Sequence, residues 1–323
     1  MNRAHIIFSI AFVLLGARFW FFFNKSPPNL PRQDSYTGII DSDPEDKGMH
    51  QVFPMRIIPG TDIAGGTVRI LVQTARYPRY SYGDKIEISG RALFRPRSFT
   101  SDNDKFFDYD EFLAKDDIYY QVKNPTVRLI GHGSGNPVVS ILISLKRAFL
   151  ANITAVLGEP HASLAGGLVV GEKNSLGKDL IDDFRRAGLI HIVVLSGYNI
   201  TIIAAAMRRV FSVFSRSTSI VLGGIAMMLF CVLVGGGATV IRSCIMGMLA
   251  LIGELLYRPY GVTRALIIDG YCMLFHNPSI LIYDPSFQLS FLATLALILL
   301  ASPIEGFLGK LRIPASLGIR GLV

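Results

Sequence analysis

The chain has 323 residues, 50% of them hydrophobic and 17% charged, with a formal net charge of +8 and a mean hydropathy of +0.42. Soluble domains carry about 25% charged residues, so charge is sparse here. The three cysteines (Cys231, Cys244, Cys272) and six scattered histidines form no CxxC, HExxH or HxHxDH pattern, which leaves a zinc site, a disulfide framework and metal-dependent hydrolysis without support.

Charge is also unevenly placed. Residues 35–135 hold 13 Lys+Arg against 14 Asp+Glu, and residues 136–323 hold 15 against 9. The first stretch is a normal polar domain and the second a mostly apolar tract. The positive excess could point to a nucleic-acid or anionic-lipid partner, but the cytoplasmic loops of a membrane protein are the simpler explanation.

In chain order, residues 6–23 are apolar except for Ser9, Gly16 and Arg18, and end in Phe19-Trp20-Phe21-Phe22-Phe23. Such a run reaches spanning length and closes on an interfacial aromatic belt, so residues 1–24 are expected to form an uncleaved transmembrane anchor. Pro27, Pro28 and Pro31 follow as a stiff linker.

Residues 36–130 read as an extracytoplasmic, β-rich OB-like domain. Strands are expected over 52–58, 67–74, 85–93 and 119–122, separated by turn signals such as Gly65-Gly66 and Tyr82-Gly83-Asp84. A short helix is expected over 107–114, and 131–137 reads as a flexible linker. One short helix among about five strands fits an OB-type barrel.

Residues 138–323 read as a polytopic α-helical membrane domain. The stretch 138–157 is apolar but carries Lys146-Arg147 at its centre. Two cations at mid-bilayer depth cost several kcal/mol, so an interfacial amphipathic helix is expected there. Residues 164–170 are too few to cross. Spans or re-entrant pieces are expected over 189–211, 220–234, 240–257, 265–275 and 287–302. Arg208, Arg209 and Arg216, then Arg258 and Arg264, then Lys310, Arg312 and Arg320 fall in alternate loops. Five crossings that begin outside put every basic loop in the cytoplasm and the β domain outside.

Three stretches carry a family resemblance. The first is Gly171-Glu172-Lys173, then Phe184-Arg185-Arg186-Ala187-Gly188-Leu189-Ile190-His191, then an apolar stretch ending in Ser196-Gly197. The second is Asp284-Pro285-Ser286-Phe287-Gln288-Leu289-Ser290-Phe291. The third comprises Arg76-Tyr77-Pro78-Arg79-Tyr80-Ser81-Tyr82-Gly83-Asp84-Lys85 and Phe107-Asp108-Tyr109-Asp110-Glu111-Phe112-Leu113. In this order they resemble the signatures of the ComEC/Rec2 competence family. Tyr198-Asn199 departs from the Leu-His that this family often has after Ser-Gly. The resemblance implies a channel in the bacterial plasma membrane that passes single-stranded DNA inward during natural transformation. It also implies receptor, motor and nuclease partners, allows a homo-oligomer, and leads one to expect further membrane helices and often a metallo-β-lactamase-like domain. The chain then reads as a fragment or a naturally short member.

A DNA path needs cations or oriented donors at membrane depth, because phosphates do not enter hydrocarbon unaided. Arg185, Arg186 and His191 are candidates for its entrance; the alternative is interfacial snorkelling or pairing with Asp182 and Asp183 at helical spacing. Ser196, Gly197 and Asn199 mark either a helix break facing a cavity or close helix packing. Arg242 and Asp269 are ionisable within candidate spans, and Gln288 either lines the same cavity or caps its helix. In the β domain, Arg76, Tyr77, Arg79, Tyr80, Arg91 and Arg95 suit base stacking and phosphate contact. No Ser-His-Asp arrangement or phosphate-binding loop is present, so no catalytic residue, cofactor or metal is expected and the chain reads as a non-enzyme. Two other readings are a transporter of another anionic polymer or solute, and a membrane fragment without transport activity.

Overall fold

The computed structural model describes residues 3–24, 28, 30, 33–58, 68–90, 93–96, 98–100, 106–171, 176–189 and 197–310. The chain divides into two compact units, Phe21–Cys244 and the pair Met1–Trp20 with Ile245–Val323.

In the first unit, alternation of buried and half-buried residues drives strands β1 (Ser35–Ile40), β3 (His50–Ile57) and β5 (Lys85–Ser89). These join β4 (Arg69–Ala75), β8 (Ile118–Lys123) and β9 (Thr126–Gly131) in the order β8-β4-β3-β1-β5-β9, with the short β2 (Glu45–Lys47) paired to β3. All pairings are antiparallel except β4 with β8. A two-stranded ribbon pairs β6 (Phe99–Thr100) with β7 (Phe106–Phe107).

Only Asn124 and Pro125 separate β8 from β9, yet those strands stand at opposite ends of the path. Three extended steps reach about 10 Å, whereas six strands laid flat would hold their outer members about 24 Å apart. The sheet therefore curls until its two ends meet. Its interior holds Ile40, Phe53, Met55, Ile70, Val72, Ile86 and Val122, all fully buried. The opposite face of β4 presents Leu71 to Leu113 of α2 (Tyr109–Ala114) and to Ile118. The short helix and the strands expected over 52–58, 67–74 and 119–122 are present; the strand expected over 85–93 ends at Ser89, and β1, β2 and β9 were not anticipated.

The segment 131–137 is a fixed joint and not a flexible linker. Ser134 N–H donates to Gly83 O (2.8 Å) and Asn136 N–H to Tyr82 Oη (3.0 Å). His132 Nδ1 lies 2.6 Å from Asp84 Oδ1. Gly83 and Gly135 pack so closely that a Cβ on Gly135 would stand 2.6 Å from the Tyr82 ring. Asn136 then caps α3 (Pro137–Val156), its side chain accepting from Val138 N–H with Pro137 at the first helical position.

The remaining helices of this unit are α4 (His161–Val170), α5 (Lys178–Arg186), α6 (Gly197–Val210) and α7 (Arg216–Val234); α8 (Ala238–Leu255) runs from it into the second unit. Of the stretch 189–211, expected as a span or re-entrant piece, residues 190–196 lie outside the described residues and 197–210 are helical. Helix α5 is closed by Gly188 at φ 71°, where Gly188 N–H donates to Arg185 O and Leu189 N–H to Phe184 O, a Schellman termination. The next described helix starts at Gly197.

The second unit contains α1 (Arg3–Phe23) up to Trp20, and α9 (Val262–His276), α10 (Ile280–Tyr283) and α11 (Pro285–Lys310). Arg18 donates to the last carbonyls of α9, Phe275 O at 3.0 Å and His276 O at 3.1 Å. That places a cation on the negative end of a helix and gives the one charged side chain within residues 6–23 a structural task.

Among the described residues, α3, α7 and α8 are long and apolar enough to cross a membrane, which marks a membrane protein. Length alone does not decide the case of α3, because Arg147 at its centre is hydrogen-bonded to Ser81 Oγ (3.2 Å) and ion-paired with Asp43. From mid-α3 the Arg147 side chain thus reaches Ser81 and Asp43 of the polar β domain.

Candidate functional site

The site is built by one strand end and one turn. Strand β4 ends at Ala75, and residues 76–81 then bend back toward β5 under the control of Gln51. This side chain, 4% exposed on β3, donates through Nε2 to Ala75 O (2.8 Å) and Pro78 O (2.6 Å), and accepts from Tyr80 N–H at Oε1 (3.4 Å). A buried amide that serves backbone groups in this way fixes the turn. The turn carries Arg76, Tyr77, Pro78 and Arg79 outward, while Tyr80 turns inward.

A cleft of about 420 Å³ opens beside it, lined by Asp43, Asp46, Arg76, Arg79, Tyr80 and Arg147 among others. Arg76 Nε lies 3.2 Å and Arg79 3.9 Å from Asp46 Oδ2, and Arg147 pairs with Asp43. Three guanidiniums thus face two carboxylates, a net charge of +1 in a wet concavity. Tyr77, 67% exposed, stands between two of the cations, with Arg76 Cζ 5.8 Å and Arg79 Cζ 5.7 Å from its ring centroid. Exposed ring plus surplus guanidinium is the chemistry of binding a flat, anionic ligand.

Of the residues expected to contact nucleic acid here, Arg76, Tyr77 and Arg79 come together at this turn. Tyr80 is a core residue and not a stacking platform: its ring meets Phe53 edge-on at 5.8 Å between centroids. Burial, with Asp84 nearby, raises its phenol above the ordinary tyrosine value. Arg95 lies over Tyr120 (6.0 Å), and nearby Lys123 lies over Phe94 (5.7 Å), a second cation–ring patch at the β8 edge. Arg91 lies outside the described residues. Three lining residues that sequence reasoning missed as site residues, Asp43, Asp46 and Arg147, arrive from the approach to β2, β2 itself and α3.

The membrane-depth candidates distribute differently. Arg185 Nη1 pairs with Asp182 Oδ1 at 2.5 Å on the exposed face of α5, and Arg185 and Arg186 occupy its last turn, where the helix dipole favours cations. The structure thus realises the helical pairing with Asp182. Gln288 Nε2 donates to Leu281 O and Ile282 O, both 2.9 Å, and Asp284 Oδ1 accepts from Ser286 N–H (2.9 Å) and Phe287 N–H (3.3 Å). The Asp-Pro-Ser-Phe-Gln stretch is therefore a helix cap in which Gln288 closes α10 while Asp284 opens α11. Arg242 is half-buried on α8, and Asp269 on α9 is fully buried. Gly197 begins α6; His191 and Ser196 lie outside the described residues, as does the side chain of Asn199.

Residues 168–320 match the family model described as Competence protein. The chain is also 22% identical over 212 residues to ComE operon protein 3 of Bacillus subtilis (strain 168), an alignment covering 64% of this chain. It spans about a quarter, 27%, of that relative's length. No solved structure matches.

Proposed function

We propose that this chain, a ComEC/Rec2-like competence protein, serves DNA uptake by passing single-stranded DNA inward across the bacterial plasma membrane. The observation that carries the proposal is the competence match over residues 168–320, which embraces α5 to α11 and both capped signature turns. In this reading the chain crosses the membrane several times with the β domain outside, and the β domain is of the OB type. The antiparallel run β1-β3-β4 followed by a parallel β4–β8 pair in a curled sheet supports that assignment. The Arg76-Tyr77-Arg79 turn receives the strand by stacking and charge. Arg185, Arg186, Arg242 and Asp269 belong to or border the path, the chain carries out no catalysis of its own, and receptor, motor and nuclease proteins work beside it.

The test is uptake of labelled DNA into cells carrying or lacking this gene, with surface binding scored separately. The expected result is loss of internalised DNA with surface binding retained. Unchanged internalisation sinks the transport role and moves another anionic polymer or solute to the front.

A further inference from the structure

Arg147 is the one residue of the cleft lining contributed by α3, 66 residues from Ser81 and 104 from Asp43 in sequence. Its pairing is open to solvent, with 47% of the Arg147 side chain and 31% of the Asp43 side chain accessible. An ion pair so exposed is worth little against water and salt, so a competing anion can take the carboxylate's place. Removing that carboxylate would also leave α3 where it is. The helix start is held independently by Ser134 N–H on Gly83 O, Asn136 N–H on Tyr82 Oη and His132 on Asp84.

We propose that Arg147 is a ligand-binding residue of the cleft: α3 and the Arg76–Arg79 turn together clamp a phosphodiester backbone, and Asp43 occupies the phosphate position in the empty state. This rests on reading the cleft as a site for single-stranded DNA. It adds that the site is incomplete without the helix that leads into the membrane region. On arrival of the strand, a phosphate oxygen replaces the Asp43 carboxylate at the guanidinium, and Asp43 turns to water.

The experiment uses the full chain in phosphatidylcholine nanodiscs, with a fluorescein-labelled twelve-residue oligothymidylate followed by anisotropy from 50 to 200 mM salt. Both Asp43→Asn and Arg147→Gln break the same ion pair, so a purely structural role moves binding the same way in both. The proposal requires opposite signs: Asp43→Asn binds about two- to fivefold tighter, the range over which an exposed pair competes. Arg147→Gln binds more weakly and its salt slope falls by about 0.7, one phosphate contact to a single strand. Arg147→Lys keeps the slope. Melting temperatures within about 2 °C of the parent establish that the variants are folded, since a surface pair carries little stability. Equal weakening in both variants, or an unchanged slope in Arg147→Gln, overturns the proposal. If the parent binds no oligonucleotide, the DNA reading of the cleft fails. Inorganic phosphate titrated by calorimetry then decides the anion site, and shifts of the same sign in both variants overturn it. Nanodiscs containing phosphatidylglycerol identify a lipid headgroup as the ligand if they abolish oligonucleotide binding by the parent but not by Arg147→Gln, a result that overturns the nucleic-acid source.

Discussion

The curled sheet and the apolar helices use the same polar side chains for opposite purposes. In the sheet, arginines gather around shared carboxylates: Arg76 and Arg79 at Asp46, Arg56 (3.0 Å) and Arg69 at Asp41. Each trio keeps a net positive charge; the one at Asp46 lies at the water boundary, where an anion can exchange, while the Asp41 carboxylate is nearly buried. Among the helices, polar groups close helix ends instead. Arg18 takes the last carbonyls of α9, Gln288 those around α10, Asp284 the first amides of α11, and Gly188 ends α5. Where water is scarce, an unpartnered backbone group costs several kcal/mol, so satisfying the backbone comes first. The functional reading of a charged residue therefore depends on which region it occupies.

The largest expected effect strikes the scaffold of the sheet. Gln51→Leu keeps the volume but strips the 75–80 turn of its buried amide, and should cost about 3 kcal/mol in urea unfolding of the full chain followed by tyrosine fluorescence. A loss below about 0.5 kcal/mol would mean that the turn is held by something else. Next comes Tyr77→Ala, which should weaken oligothymidylate binding about tenfold, one stacked base, while Tyr77→Phe binds as the parent does. Equal loss in both would point to the hydroxyl and away from the ring. On the helix side, Gln288→Ala should cost about 1 kcal/mol with no change in the salt dependence of binding. A changed salt dependence would break the contrast, because Gln288 would then contact the ligand.

The smallest effect is a pH dependence. Tyr80 has its phenol raised by burial and by Asp84, and burial does the same at Tyr109 and Tyr119. The unfolded phenol ionises near pH 10 and the folded one above that. Stability is therefore complete below pH 10 and declines as pH rises past it. Melting curves of Tyr80→Phe should show a shallower alkaline decline than the parent; an identical decline would assign it elsewhere.

Much of this architecture could be read from residue patterns, and the failures have physical reasons. Strand β3 alternates cleanly, and α3, α7 and α8 are long apolar runs. Strand β1 hid behind Gly38, which reads as a turn residue but serves close pairing: a Cβ there would stand 2.6 Å from Arg56 O. Strand β9 is exposed or half-buried throughout, so no alternation betrays it. The Arg-Tyr-Pro-Arg turn was legible because its residues are neighbours. Asp46 and Gln51 reach it only through the β2–β3 and β3–β4 registers, and Arg147 only through the joint. The Asp-Pro-Ser-Phe-Gln stretch was recognised as a signature, but its first duty, capping, shows only once α10 and α11 are both in view.

The glycine-packed joint between Gly83 and Gly135 has a mechanical consequence. With the start of α3 pinned by backbone and hydroxyl contacts, the sheet and the helix turn together as a crank. Twenty helical residues make an arm about 30 Å long. A tilt of roughly 10° imposed on the sheet sweeps the far end of that arm through about 5 Å, close to the rise of one helical turn.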